Sequence, residues 1–477
     1  MSQEPMGGGG AAAPGGAEAP DPASAPDAAS APGAAAPRPA GERTFLHVLV
    51  NTGVANLVTN FLWFAVVFWV YLETKSILAT GVLGGTYMIL IAGCSMWFGS
   101  LVDRLRKRQV MLISAWSSLG AFIVACALYL LVPGDQLLRL DGPWFWLFTL
   151  IVLAGCVVEL LRNLALSTTV TLLVPSERHA NANGLVGTVQ GLAFIATSVF
   201  SGLSVGLLGM GWTIVLATVL TAVPIAHLHV LRIAEPEIVR DPTRSHVDFR
   251  GGMAAILAVP GLLALVFFTT LNNLSGGVFM ALLDPYGLDQ FPVEVWGLVF
   301  GIASTGFLVG GAIVAKWGLG KNPVRTMLIL VAALGALGMV FTIREWHWLF
   351  IGGIWLFMVM MPAVEAAEQT VIQRVVPYEK QGRVFGLAMT FEAAAAPVSS
   401  FLIAFIAEFW IVPFMDTEAG ARQWSWLLGE GDSRGIALVF FWSGLAMVVL
   451  AGAALLSRPF RVLSRSYASA APVSPPT

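Results

Sequence analysis

Val174-Pro175-Ser176-Glu177-Arg178 and Val376-Pro377-Tyr378-Glu379-Lys380 are two copies of one short motif, 202 residues apart. At the same spacing Thr168 meets Thr370, Gly184 meets Gly386 and Leu185 meets Leu387. Apolar sequence runs up to each proline and resumes a few residues beyond it. A repeat that joins the end of one apolar run to the start of the next marks a duplicated unit. The number of runs between the copies sets its size.

A membrane span needs about 20 apolar residues, each rising about 1.5 Å. Such runs cover 44–72, 76–102, 109–134, 142–158 extending toward Val174, and 180–231. The last is too long for one crossing, and Gly209-Met210-Gly211 is the turn that divides it. The second half supplies 251–283, 295–315, 326–343, 346–364 extending toward Arg374, 384–410 interrupted by Glu392 and Glu408, and 435–457. With six spans in each half, both copies of the motif face the same way. Parallel six-helix repeats form two bundles facing each other across a central cavity. The expected fold is an all-α membrane protein of twelve transmembrane helices in two six-helix bundles, which is a transporter architecture.

Composition excludes the main competitors. Of the 477 residues 57% are hydrophobic and 11% charged, against about 25% charged in a soluble chain. Mean hydropathy is +0.79. A net charge of −2 leaves no basic surface for nucleic acid. Cys94, Cys126 and Cys156 lie in apolar runs without metal-ligand spacing. Gly318-Leu319-Gly320-Lys321 lacks the spacing of a phosphate loop. We expect no enzyme, no cofactor and no metal.

Residues 1–42, of which 30 are Ala, Gly or Pro, read as a disordered tail. Residues 43–232 are the N-terminal bundle and 251–458 the C-terminal one. The charged stretch 233–250 reads as a linker and 459–477 as a second tail. With the N-terminus inside, 20 of the 26 Lys and Arg residues fall on one side. Such a bias marks the cytoplasmic face, so both tails and the linker are expected there, in a monomer spanning the plasma (inner) membrane.

Charges within spans are expensive, so they point to function. Glu159 and Arg162 are three apart on span 4, on one helical face. Glu365 and Glu368 lie on span 10, and Glu392 lies on span 11 with Gln190 as its repeat partner. Glu159, Arg162 and Glu365 fall roughly 18–24 Å into the membrane by helical rise, and Glu392 is also near the middle. A carboxylate in a low-dielectric cavity holds a proton nearer neutral pH than one in water, as proton-coupled transport requires. Glu392, with no charged neighbour on its own span, is the first candidate for coupling, followed by Glu365, Glu159 and Glu368. Glu159 also reads as the structural partner of Arg162. Asn51, Asn56, Asn60, Asn272, Asn273 and Gln190 are candidate cavity amides. With Trp63, Phe64, Phe267 and Phe268 nearby they suit an amphipathic small molecule.

The loop after span 2 reads Gly99-Ser100-Leu101-Val102-Asp103-Arg104-Leu105-Arg106-Lys107-Arg108. It resembles the G-x-x-x-D-R-x-G-R-R signature of the major facilitator superfamily, with Arg106 in place of the second glycine. The resemblance implies that Gly99, Asp103, Arg104 and Arg108 belong to a latch between the bundles. Gly318-Leu319-Gly320-Lys321-Asn322-Pro323 in the second half lacks the Asp-Arg pair, so one latch is expected.

Val174-Pro175-x-Glu177 with Ala180-Asn181, and Val376-Pro377-x-Glu379-x-Gln381-Gly382-Arg383-Val384-Phe385, resemble the paired loops of the macrolide-efflux-like drug:proton antiporter branch. Trp63-Phe64-Ala65, Phe68-Trp69-Val70-Tyr71-Leu72-Glu73-Thr74 and Arg434-Gly435-Ile436-Ala437-Leu438 are similar to actinobacterial multidrug-efflux members of that branch. Span 5 departs from it, with Phe194-Ile195-Ala196-Thr197-Ser198 where the antiporter signature has Gly-Pro. The resemblance implies proton-coupled efflux of drug-like molecules, with the substrate, protons and the bilayer as partners. The alternatives are an exporter of one dedicated metabolite, siderophore or lipid, and a non-transporting receptor on the same scaffold.

Overall fold

The computed structural model describes residues 40–74, 77–233, 235, 249–429, 431 and 433–470. Among these residues all regular structure is helical. The first four long helices are α1 (Ala40–Thr74), α2 (Ile77–Arg104), α3 (Lys107–Leu131) and α4 (Pro143–Leu173). His179–Val230 continues as 52 residues interrupted at Gly209, where φ is 77° and ψ 167°. Only glycine takes that conformation cheaply, and it divides the stretch into α5 (179–208) and α6 (210–230). The expected turn is therefore a kink at one residue.

The second half holds α7 (Leu262–Gln290), α8 (Val293–Trp317), α9 (Pro323–Val340), α10 (His347–Val375), α11 (Tyr378–Ile406) and α12 (Arg434–Leu456). Eleven described helices are long and apolar enough to cross a membrane. The break at Gly209 brings the crossings to twelve.

The structure corrects several boundaries. α1 begins at Ala40, three residues inside the stretch expected to be disordered, and buried Glu42 ion-pairs with Arg178 at 2.6 Å. Residues 1–39 and 236–248 lie outside the described residues. The run 251–283 is not one helix: Phe249–Ala258 is separated from α7 by Val259-Pro260-Gly261, since proline supplies no backbone donor and crowds the preceding turn. Most of the expected C-terminal tail folds as α13 (Arg458–Ser469), which packs Phe460, Leu463 and Tyr467 inward. Residues 471–477 lie outside the description.

Apolar burial gives little drive between helices already in lipid, so close packing and polar contacts hold the bundles. In the N-terminal bundle Trp69 meets Phe148 and Tyr129 edge-on, at 5.4 and 6.1 Å between centroids. In the C-terminal bundle Phe279 stacks on Phe440 at 5.1 Å, with Phe341 and Phe357 beside it. Such pairs contribute about 0.5–1.5 kcal/mol each beyond their buried area.

Two seams join the bundles, and the repeat relates them. α2 lies against α11, where Gly99 faces Gly382 and Gly386 with no room for a side chain between. α5 lies against α8, where Gly184 faces the backbone of Val314 and Ala315 in the same way. Gly184 and Gly386, repeat partners in sequence, thus sit at equivalent crossings. Each is on the fifth helix of its half, against the second helix of the other.

Candidate functional site

The α2–α11 seam ends in a buried acid–base contact. Asp103, in the last turn of α2, accepts from the backbone N–H groups of Gly382 and Arg383 at 2.7 and 3.0 Å and from Arg383 Nε at 2.9 Å. Both side chains are nearly inaccessible, at 2% and 6% exposure. Charge-assisted bonds to a shielded carboxylate are the strong class of hydrogen bond. The contact forms because Gly99 and Gly382 let the two backbones come together one turn away.

The other motif residues divide. Arg104 is half-buried beside this contact. Arg108 stays within its own bundle: Nε donates to Leu228 O at 3.0 Å and an η nitrogen to His229 O at 2.8 Å. It thereby satisfies carbonyls at the end of α6, not a bond across the seam. Glu235 of the linker accepts from the backbone N–H groups of Lys107 and Arg108 at 2.6 and 3.1 Å, closing the start of α3. The sequence pattern alone points to neither Arg383 nor Glu235, although Gln381-Gly382-Arg383 belongs to the second loop motif.

Above this contact amides close the seam. Asn183 donates to Thr370 and Gln373 at 3.0 and 2.8 Å, Gln373 to Ser167 O at 2.8 Å, and Thr171 to Gln381 at 2.9 Å. Deeper in the membrane the bundles part around two adjoining cavities of 240 and 320 Å³. Glu365, Glu368 and Glu392 line the first, opposite Asn163, Ser167 and Gln190. Asn56, Asn60, Phe194 and Phe307 line the second, which shares Asn163, Gln190 and Glu365 with the first. Three of the four expected coupling carboxylates and three of the six expected cavity amides therefore meet in one place.

Glu392 is not isolated. Thr269 Oγ1 on α7 donates to it at 2.7 Å, and Glu368 lines the same cavity. Six residues before Arg374 on α10, Glu368 points into the cavity instead of toward that arginine. Asn56 donates to Asn163 at 3.0 Å. Asn272 and Asn273 are absent from both linings. Asn273 donates to Thr269 O one turn back on α7. Phe267 faces outward and Phe268 packs on Phe460 of α13, so Phe194 and Phe307 supply the aromatic wall in their place.

Glu159 and Arg162 lie elsewhere, inside the N-terminal bundle. They form a buried ion pair at 2.8 Å. Arg162 donates to Asn51 Oδ1 at 2.6 Å, and Asn51 in turn donates to Pro224 O and meets His227 Nδ1 at 3.1 Å. Asn51 thus joins α1, α4 and α6 and does not face the cavity. Buried charges persist only when paired and bonded, and this network satisfies both partners.

Comparison with known proteins agrees with this arrangement. Macrolide efflux protein A of Streptococcus pyogenes is 22% identical over 379 residues, covering 76% of this chain and 89% of the relative. A bacterial homologue of the iron transporter ferroportin, in an outward-facing state, superposes with a TM-score of 0.64 at 15% identity, covering 89% of this chain and 100% of that one. The human organic anion transporter MFSD10 gives 0.62 at 15% identity, over 87% and 100%. Likeness at that identity shows a shared fold. The sequence profile of the Major Facilitator Superfamily matches residues 48–400. With twelve membrane-crossing helices, two repeat-related seams and a polar cavity between the halves, the chain belongs to the Major Facilitator Superfamily.

Proposed function

We propose that this protein is a proton-coupled exporter of amphipathic, drug-like small molecules that works by alternating access. The observation that carries the reading is the group of Glu365, Glu368 and Glu392 on α10 and α11, facing amides of α1, α4 and α5 across the interbundle cavity. Carboxylates sharing one buried cavity repel when all are ionised, so Glu368 and Glu392 side by side favour a form that holds a proton. Losing it places two like charges side by side and favours separation of α10 from α11. A cationic or amide-bearing substrate then competes for the same oxygens. Asp103 and Arg383 latch the bundles on the face that carries the basic loops. In this reading that face is cytoplasmic, the membrane is the plasma membrane, and the protein acts as a monomer. The named macrolide efflux relative supports drug efflux as the substrate class.

The test is proton movement across proteoliposomes when candidate macrolides and lipophilic cations are added, with Glu392→Gln and Glu365→Gln in parallel. Drug-dependent proton flux that the first variant abolishes supports the coupling role. Drug flux without proton flux overturns the coupling. Absence of both across a broad panel favours an exporter of one dedicated compound, or a receptor on this scaffold.

A further inference from the structure

At the start of α9 and the end of α12, α13 turns back beneath them and flanks an open cavity of 500 Å³. It is lined by Asn322, Arg325, Ser464, Arg461 and Arg465 on one side and by Leu328, Ile329, Leu455 and Phe460 on the other. α13 is held firmly. Pro459 and Leu463 close on Gly261 at the start of α7, Phe460 meets Phe268 edge-on at 5.6 Å, and Tyr467 lies under the Arg374 guanidinium of α10 at 4.8 Å. Asn322 caps α9 through the Arg325 N–H at 3.1 Å and also accepts from Ser464 at 3.4 Å.

The three arginines are exposed. Arg461 and Arg465 are one turn apart on a single face of α13, and like charges so placed repel. Arg325 faces them from the first turn of α9, whose N-terminus adds further positive potential. Among the described residues no acidic side chain ion-pairs with any of the three. The apolar side of the cavity opens toward lipid: Ile329 is 48% exposed, about 9 Å along α9 from its start. The guanidinium groups thus lie at the cytoplasmic end of α9 in the proposed orientation, beside the apolar side chains of Ile329 and Leu455.

We propose that this cavity binds an anionic phospholipid. The phosphate is bound by Arg325, Arg461 and Arg465 with Ser464 beside it, and an acyl chain lies along Ile329 and Leu455. Arginine is suited to this because its planar fork matches phosphate oxygens, and each basic residue near an anionic lipid surface adds roughly fivefold to affinity. Every lining residue belongs to the second half of the chain. Lipid binding therefore does not distinguish the facing states; it anchors one bundle to the membrane while the other moves.

Native mass spectrometry of the full-length protein in detergent tests this. The probes are dioleoyl phosphatidylglycerol, dioleoyl phosphatidylcholine and glycerol 3-phosphate, against wild type and R325Q/R461Q/R465Q. The expected result is retained phosphatidylglycerol adducts, at least tenfold fewer with phosphatidylcholine, none with glycerol 3-phosphate, and roughly hundredfold weaker lipid binding in the triple variant. Equal binding of both lipids, or undiminished binding in the variant, overturns the proposal. Binding of glycerol 3-phosphate as tight as that of the lipid assigns the site to a free phosphate compound and overturns it too. If the triple variant does not fold, Arg465→Gln and Arg325→Gln alone are each expected to weaken binding about fivefold, and no change in either counts against the site.

Discussion

Arg383 and Asn181 are repeat partners that make equivalent contacts with different chemistry. Arg383 on α11 binds the Asp103 carboxylate on α2, and Asn181 on α5 donates to the Ala315 carbonyl on α8 at 2.9 Å. The seam on one side ends in a buried charge pair and the other in a neutral bond. Removing one partner of a buried pair costs about 3–5 kcal/mol, whereas one neutral hydrogen bond contributes about 1 kcal/mol. Asp103→Ala is therefore expected to open the basic face far more often than Asn181→Ala. Pulsed electron paramagnetic resonance between labels at the ends of α2 and α11 reads the distance. Equal broadening in the two variants would contradict the latch.

Gly184 and Gly386 leave no room for even a methyl group. A Cβ on Gly386 would meet Ser95 O and the Gly99 backbone, and one on Gly184 would meet the Ala315 and Val314 backbone. Valine at either position is expected to force the seam apart and abolish transport. The protein should still insert, since the clash lies between bundles and not within one. Intact surface yield with lost flux is the outcome sought, and normal flux would show that the seam yields.

The Glu159–Arg162 pair supports stability. Arg162→Ala leaves a buried carboxylate without its guanidinium, and a loss of about 3–5 kcal/mol is expected. It should appear as a marked fall in thermal midpoint in detergent. Replacing both residues with apolar side chains, as in E159L/R162M, is expected to recover most of that loss, because a buried ion pair gains little over good packing. If the double variant is as unstable as the single, the remaining network through Asn51 and His227 is the larger contributor.

The cavity carboxylates are expected to separate by pH dependence. Efflux by the wild type should depend on an inward proton gradient. Glu392→Gln and Glu368→Gln each remove one member of the carboxyl pair and should flatten that dependence, while Glu159→Gln should keep it. Thr269→Val removes the hydroxyl that donates to Glu392 and is expected to slow turnover without abolishing coupling. Initial rates in proteoliposomes across a pH series make the comparison.

Much of this was legible in the chain. Run lengths set out the crossings, and the 52-residue run breaks at Gly209, within the expected turn. The repeat spacing pairs Gly184 with Gly386, and both sit at interbundle crossings. What stayed hidden depends on the rotation of one helix against another. Nothing in the spacing of span 10 tells that Glu368 turns toward Glu392, or that Thr269 three helices away reaches the same oxygens. Asn272 and Asn273 lie outside both linings, and Asn273 bonds a carbonyl of its own helix, a rotation that the spacing of the amides does not foretell. Arg108 was assigned by motif, yet a long side chain at a helix end goes first to the nearest open carbonyls. The Arg458, Arg461 and Arg465 spacing marks an amphipathic helix in plain view, but a short charged segment after the last span reads as a tail until its apolar face finds α7 and α10.

The two glycine crossings have a mechanical consequence. One is pinned by a buried charge pair, and the other is joined by neutral contacts. A body fastened this way turns about the permanent side, as a book turns about its spine. The moving half is then expected to swing about the line of α5 and α8, with its largest excursion at α2 and α11, where the charge is.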